Sequence, residues 1–401
     1  MDIPHFPNHP GGQELLTIAR KNTDTYKKIL FFSHHIGCDW KNIEKYCALK
    51  KLNIPEKGTF YNELDTIVRK TKNTFWIDDW VFLFWTILTT ICTPLSILYL
   101  ALFPSITGIV WCIFFNFTYN LTIFHARHHG RTIFKNKSIQ QCTNKIYDFY
   151  ESIFGRAGYL WVEHHNIKHH LYTNDSELDA DVYYLYPLLR LNKTQKWKLQ
   201  HRFQHYYIWI LFCFTAFKFP FENFIYSKEL PTIRYSKFTL FLFIEYIIPY
   251  FLHGFQGIFS IFVMNIFLGI LLGISFNISH NHNKIKDSNT KNATFTFTDD
   301  KNIDSWMKQQ IQSYTSWNTI FPSFIPNYIG DYCTCLIFGG LNLQIEHHIA
   351  PAINPLHYYR IQSSIKKLCL QFNVHYTNEK TIYNSIYQYY QWLQYLSKNN
   401  H

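Results

Sequence analysis

Apolar runs long enough to cross a membrane alternate with polar segments along this chain. The runs Trp80–Phe103 and Ile106–Phe124 are separated only by a Pro-Ser pair and predict a helical hairpin. Phe238–Leu252 and Ile258–Ile278 predict a second hairpin. A further run, Tyr206–Phe221, is short and contains a lysine, so we expect it to lie in the membrane interface. The pattern predicts an all-α integral membrane protein with four transmembrane helices in two hairpins.

The flanking charges predict which side of the membrane the polar segments occupy. Lysine and arginine residues precede Trp80 and follow Phe124, so both ends of the first hairpin are expected in the cytosol. A second hairpin returns the chain to the same side. The polar segments between and after the hairpins therefore predict a cytosolic helical cap, and both termini are expected in the cytosol.

Composition supports the membrane class and excludes others. The 401 residues are 47% hydrophobic and only 16% charged, below the roughly 25% of ordinary globular proteins. The net charge of +11 would suit nucleic acid or an anionic membrane face. Because the sequence carries no zinc-finger or RNA-binding signature, we expect membrane lipid as the partner and no nucleic acid. The nine cysteines are scattered, which predicts reduced thiols.

Clusters of histidine follow the apolar runs. Box one is His-Ala-Arg-His-His at His125–His129, box two is His-Asn-Ile-Lys-His-His at His165–His170, and box three is Gln-Ile-Glu-His-His at Gln344–His348. A looser group holds His280. In boxes one and two a pair of histidines stands four residues apart, which places both on one face of a helix. Imidazole is a common ligand of transition metals, so the clusters predict a metal centre.

The three boxes, in this order, resemble those of the membrane-bound histidine-box fatty-acid desaturases. Glutamine at the start of box three resembles the front-end branch, whose members carry an N-terminal cytochrome-b5-like domain. The resemblance covers about Asp79 to Tyr376. It implies O2-dependent insertion of a cis double bond on the carboxyl side of an existing one, in unsaturated fatty-acid biosynthesis. It also implies a fatty acyl-CoA or phospholipid substrate, electrons from cytochrome b5 and its NADH-dependent reductase, and an endoplasmic-reticulum membrane with cytosolic boxes.

The resemblance also implies a centre of two iron ions, with no catalytic side chains beyond the metal ligands. Carried over onto this sequence, the candidate ligands are His125, His128, His129, His165, His169, His170, His280, Gln344, His347 and His348. Asp179 and Asp181 are candidates to orient imidazole N–H groups. Box one departs from the front-end pattern, because Ala126 stands where an acidic residue is usual.

The N-terminal segment resembles part of a cytochrome b5 domain. His9 begins a His-Pro-Gly-Gly motif, and His34 and His35 are the candidates for the second axial ligand of a haem b. Two departures count against haem: the sequence starts just before the motif, and the segment expected between the ligands is degraded. We therefore expect the segment to bind haem weakly or not at all.

Three units are predicted: a truncated cytochrome b5-like domain at 1–72, a desaturase domain at 73–376 and a C-terminal tail at 377–401. Two other functions stay open at this point. One is sphingolipid desaturation or hydroxylation on the same di-iron centre. The other is a non-catalytic membrane protein that binds metal or lipid. A metal carrier would normally place its ligands inside the spanning helices, whereas these histidines follow the helices.

Overall fold

The computed structural model describes residues 16–17, 20, 24–49, 57–129, 137–153, 158–226, 231–284 and 303–398. This part of the chain is mostly helical. His9 lies outside it, so the predicted His-Pro-Gly-Gly turn has no structural description. Two short strands form the one sheet found among these residues.

The first helices of the chain lead into the membrane and up to box one. In order they are α1 Asp24–His35, α2 Trp40–Leu49, α3 Thr59–Thr74, α4 Ile77–Leu102, α5 Ile106–Tyr119, a π-helix at Asn120–Phe124 and α6 His125–His128. Ser105 caps α5 by accepting a hydrogen bond from the Gly108 N–H at 3.1 Å. The cap follows Pro104, so α4 ends and α5 begins within a few residues.

The middle of the chain carries box two and the second membrane region. It contains α7 Lys137–Ile153, α8 Gly158–Trp161, a π-helix at Val162–His169, α9 His170–Tyr172, α10 Ala180–Tyr183, a 3-10 helix at Leu199–Phe203, α11 Gln204–Phe212, α12 Thr215–Tyr226, α13 Pro231–Leu242, a π-helix at Phe243–Ile247, α14 Ile248–His253 and α15 Phe255–Asn277. Gly254, at φ 57°, makes the turn between α14 and α15, where any other residue would be strained.

The last part of the chain carries box three. It contains α16 Ile303–Ser313, β1 Thr315–Thr319, α17 Asn327–Ile337, α18 Gln344–Ile349, α19 Pro355–Gln371, β2 Thr377–Thr381 and α20 Ile382–Leu396. The strands β1 and β2 are parallel, with Thr315 opposite Thr377 and Thr319 opposite Thr381. The segment predicted as a C-terminal tail is therefore an ordered strand and helix.

Three helical stretches are long and apolar enough to cross a membrane: Ile77–Leu102, Ile106–His128 and Phe255–Asn277. At 1.5 Å per residue the first is roughly 39 Å long, against a hydrocarbon core of about 30 Å. These stretches agree with three of the four predicted spans. They expose apolar side chains such as Phe84, which is 67% exposed, as lipid-facing helices do.

The fourth predicted span differs in the structure. The run Phe238–Leu252 is part of one helical stretch from Pro231 to His253, which is not one of the three candidate spans found among the described residues. The other candidate is the bent pair Leu199–Phe212 and Thr215–Tyr226, whose axes meet at 72°. That pair includes the run predicted to lie in the interface.

Residues of all three predicted units share hydrophobic cores. Ile29, Phe32 and Ile36 of α1 belong to one buried cluster with Trp306 of α16 and Ile345 of α18. The helix α3 is joined to α16 as well, because the Asp304 carboxylate accepts the N–H groups of Phe60 and Tyr61, each at 2.9 Å. A second cluster joins the membrane helices to α20. The division into three units stays a prediction, and among the described residues α1 to α3 pack as part of the cap.

Candidate metal centre

Box one extends a membrane helix, and a π-helical turn sets the direction of its side chains. The turn Asn120–Phe124 directly precedes His125, and Thr122 Oγ1 donates to the Thr118 carbonyl at 2.7 Å. Gly339 fits against this turn, since a Cβ at Gly339 would lie 2.2 Å from the Leu121 carbonyl oxygen. With φ at 58°, Gly339 also makes the turn that leads into box three. This close contact brings box three against box one.

Box two lies on a π-helix, which adds a second close pair to its histidines. The sequence predicts that His165 and His169 share one face of a helix, and their rings stack with centres 5.2 Å apart. In the π-helix Val162–His169 five-residue spacing also brings side chains together. His165 Nε2 therefore lies 3.1 Å from His170 Nε2, and it is 3.2 Å from His125 Nε2. The Asn166 side chain ties the two boxes together by donating to the His128 carbonyl at 2.7 Å.

Eight histidines converge in two adjoining groups. The first histidine group is His125, His129, His165 and His347, and the second histidine group is His169, His280 and His348. His170 lies between them: it forms a third set with His347 and His348, and its Nε2 is 3.1 Å from His165 Nε2. Within each set the nitrogen atoms lie within 4.8 Å of one another.

The burial of these imidazoles fits a bound metal. His169, His347 and His348 each have a buried Nε2, and both ring nitrogens of His129 are buried, with no hydrogen-bond partner among the described residues. A buried polar atom without a partner costs about 1–3 kcal/mol. Several such nitrogens facing one another are costly unless an ion fills the space between them. The donor set, imidazole nitrogen with no thiolate, suits iron.

Electrostatics keep most of the imidazoles neutral, which is the form that binds a metal. Burial, with smaller repulsion from neighbouring imidazoles, holds the pKa of His129, His165 and His170 well below the usual value of 6.5. Burial and neighbouring histidines lower the pKa of His347 and His348 in the same way.

His169 is the exception, because two carboxylates lie beside it. Burial alone would lower its pKa, but Asp179 and Asp181 raise it to about 9. The Asp179 oxygens lie 3.0 and 3.2 Å from His169 Nδ1, and an Asp181 oxygen lies 3.3 Å away. Asp179 therefore accepts from Nδ1–H and turns Nε2 toward the second histidine group. This is the contact expected of a residue that orients a ligand.

Two predicted ligands take other positions. His128 belongs to neither group, since its Nε2 pairs with Glu151 Oε1 at 3.0 Å. The same carboxylate binds Arg127 Nη1 at 2.6 Å. Gln344 reaches the centre indirectly, with its Nε2 3.0 Å from His280 Nε2. The structure thus brings together eight of the ten predicted ligands, with Gln344 beside them and His128 turned away.

Sequence reasoning missed the residues that hold box three in place. Gln310 Oε1 accepts from His348 Nδ1 at 3.1 Å, and the Tyr314 ring stacks on His348 with ring centres 3.7 Å apart. Glu346 accepts from Tyr376 Oη at 2.5 Å and from Ser316 Oγ at 2.9 Å. Burial raises the pKa of Glu346 to about 7. Glu346 is part of box three itself, whereas Gln310, Tyr314, Ser316 and Tyr376 belong to no histidine-rich motif and meet box three only through the fold.

The predicted haem ligands lie in different surroundings. His35 Nδ1 donates to the Phe31 carbonyl of its own helix at 2.7 Å. The His34 ring lies 6.0 Å from the His129 ring, at the histidine groups of the desaturase boxes. The described residues therefore place His34 beside box one.

A buried histidine shell at the ends of membrane helices defines a membrane metalloenzyme. The family model "Fatty acid desaturase" matches residues 149–380, and the chain belongs to that family, whose members are oxidoreductases that use iron and O2 on acyl chains. It is a multi-pass membrane protein.

Named relatives are similar over most of the chain. The chloroplastic acyl-lipid (7-3)-desaturase of Chlamydomonas reinhardtii is 26% identical, covering 94% of this chain and 75% of the relative. The probable Delta(5) fatty acid desaturase C of Dictyostelium discoideum is 26% identical, covering 95% and 86%. The sn-1 linoleoyl-lipid 6-desaturase of Arthrospira platensis is 24% identical, covering 72% and 77%. No solved structure matches the chain.

Proposed function

We propose that this protein is a front-end fatty acyl desaturase with a two-iron centre held by eight histidines. The observation that carries the proposal is the pair of adjoining histidine groups, which His170 links through a set with His347 of the first group and His348 of the second. Removing two hydrogens from neighbouring carbons of an acyl chain, with two electrons, two further protons and O2, yields one double bond and two waters. Bound iron supplies the oxidising power that no side chain has. The chain's own residues hold the ions.

The proposed ligands are the histidines that converge. They are His125, His129, His165, His169, His170, His280, His347 and His348. Gln344 beside His280 and Asp179 beside His169 position ligands through hydrogen bonds. His128 is left out of the set because Glu151 occupies its Nε2.

The membrane region offers room for an apolar substrate chain. A cavity of about 210 Å³ lies between α5, α12, α13 and α15, with mainly apolar lining that includes Phe217, Phe241 and Leu268. Leu272, also at this cavity, lies roughly 8 Å along the helix axis from the end of α15 at Asn277. His280 follows that end directly. We propose that part of the acyl chain occupies this cavity, below the histidine groups. The names of two relatives refer to lipid-linked acyl chains, so we propose an acyl-lipid substrate.

We propose four membrane crossings with both termini and all boxes in the cytosol, at the endoplasmic reticulum. Both termini lie on one side only if the number of crossings is even, and the three apolar stretches give three. The fourth crossing is therefore the Pro231–His253 stretch or the bent pair Leu199–Phe212 and Thr215–Tyr226. We favour the Pro231–His253 stretch, because it pairs with α15 across the Gly254 turn. Cytochrome b5 and its NADH-dependent reductase are the proposed electron donors. We propose that residues 1–72 bind haem weakly or not at all, since His34 lies beside His129 and His35 donates to the Phe31 carbonyl.

Expression in a host poor in desaturases tests the function. The host is fed polyunsaturated precursors, and its phospholipid and acyl-CoA fractions are analysed separately by gas chromatography. We expect a new double bond on the carboxyl side of an existing one, first in the phospholipid fraction. His347→Ala should abolish the product and lower the iron content, while His375→Ala, at an exposed position outside the boxes, should retain both. A hydroxylated or sphingoid product, or a His347→Ala protein with normal product, would overturn the proposal.

A further inference from the structure

The N-terminal helix α1 is fixed to the part of the cap that carries box three. Ile29, Phe32 and Ile36 lie in one buried cluster with residues of α16 and α18. These positions are spaced by three and four residues, so they form one face of α1. His34 projects from another face of the same helix. Its position is therefore set by buried packing rather than by a mobile surface segment.

His34 lies against histidines from all three boxes. Its ring centre is 6.0 Å from that of His129, and its imidazole also interacts electrostatically with those of His170 and His347. Its Nε2 is shielded from solvent. His34 is absent from the sets whose nitrogens lie within 4.8 Å of one another, so it stands outside the eight converging ligands.

A local hydrogen bond holds the imidazole of His34. Ser33 Oγ lies 3.0 Å from His34 Nδ1 and 3.4 Å from the Leu30 carbonyl oxygen. Nδ1 is therefore engaged within α1, and Nε2 is the second, buried ring nitrogen.

We propose that His34 is a positioning residue of the iron centre, whose Nε2 forms a hydrogen bond with water bound to an ion at the histidine groups. The inference rests on the proposed function, because it requires iron at the histidine groups. It assigns to the N-terminal segment a role at the desaturase centre itself. Partners just outside the ligands of a metal typically change its affinity by about 10- to 100-fold when they are removed.

The test is iron retention in purified full-length protein. The reduced protein is mixed with ferrozine, and the rate of Fe²⁺ extraction is followed by absorbance. His34→Ala should release iron about tenfold faster than wild type. His34→Gln, which keeps an acceptor, should stay close to wild type. His34→Phe fills the space without an acceptor and should behave like His34→Ala.

The matched control is His35→Ala, one residue along the same helix, which should release iron at the wild-type rate. Thermal unfolding of each variant in detergent shows whether it is folded. If His34→Ala is not folded, the comparison of His34→Gln with His34→Phe tests the role of His34. Wild-type extraction rates in both His34→Ala and His34→Phe would overturn the role of His34. A wild-type rate in His34→Phe alone would overturn the hydrogen bond, because it would show that a bulky side chain at this position is enough to shield the iron. A wild-type protein that binds no iron would instead overturn the proposed function.

Discussion

Asp179→Asn is the sharpest single test of how the second histidine group is held. The Asp179 carboxylate is fully buried and accepts from three donors: His169 Nδ1, the Asn174 N–H at 2.7 Å and the Asp181 N–H at 2.9 Å. Asparagine keeps the shape but removes the charge, and it replaces one acceptor oxygen by an NH2 donor. One of the three donors must then face another donor.

The magnitude has two parts. Loss of the partner that orients a metal-bound histidine lowers metal affinity by about 10- to 100-fold, which is about 1.4–2.7 kcal/mol of binding free energy. The unpaired donor should in addition lower the free energy of unfolding by about 1–3 kcal/mol, which is the cost of one unsatisfied buried polar group. Both effects should therefore be measurable in one purified variant.

The assay is competition for iron between the protein and a chelator of known affinity, combined with thermal unfolding. Asp175→Asn is the matched control, because it makes the same substitution in the same loop. Its carboxylate accepts only the backbone N–H groups of Glu177 and Leu178 in the described hydrogen bonds. An Asp179→Asn protein with wild-type iron affinity would refute the assignment of His169 as an oriented ligand.

Three further predictions follow from particular contacts. The raised pKa of His169, about 9 in metal-free protein, means that iron must displace a proton below that pH. Iron affinity should thus rise about tenfold per pH unit from pH 7 to 9 and then level off, and a flat profile in chelator competition would contradict this. Asp304→Ala leaves the N–H groups of Phe60 and Tyr61, in the first turn of α3, without their acceptor. The free energy of unfolding, measured by thermal unfolding, should therefore fall by about 1–2 kcal/mol. An unchanged value would argue against this role of Asp304. A purified fragment of residues 1–70 should show no sharp, stoichiometric spectrum of reduced haem.

The sequence alone predicted the features that depend on local composition. Apolar runs are read directly from hydropathy, and three of the four predicted spans agree with the structure. Box one begins where the second of these runs ends, and His280 follows the last of them, so the link between these histidines and the membrane helices could also be predicted. The fourth span could not be chosen from the sequence. Glu245 and a nearby lysine make the run Phe238–Leu252 marginal, and Lys218 does the same for Tyr206–Phe221.

Features that depend on distant contacts could not be predicted. The close approach of His165 and His170 requires a π-helix, whereas the sequence suggested ordinary α-helical spacing. His34 was assigned to haem because a neighbouring motif suggested it, and its contact with box one spans almost a hundred residues. His201, outside every box, would be taken for a neutral position, yet it is fully buried and bonded to Pro187 and Lys198.

The packing of α1 against α16 and α18 has a consequence for biosynthesis. The helix α1 leaves the ribosome roughly 270 residues before Trp306, which at typical rates of synthesis is on the order of 15–60 s. During that time its apolar face can pack against α2 and α3, as Phe32 does against Trp40 and Tyr61, but not yet against α16 and α18. Box three is also made late, so the histidine groups can form only once nearly the whole chain has been translated. The histidine groups are therefore completed late in the synthesis of this protein, and α1 gains its contacts with α16 and α18 only then.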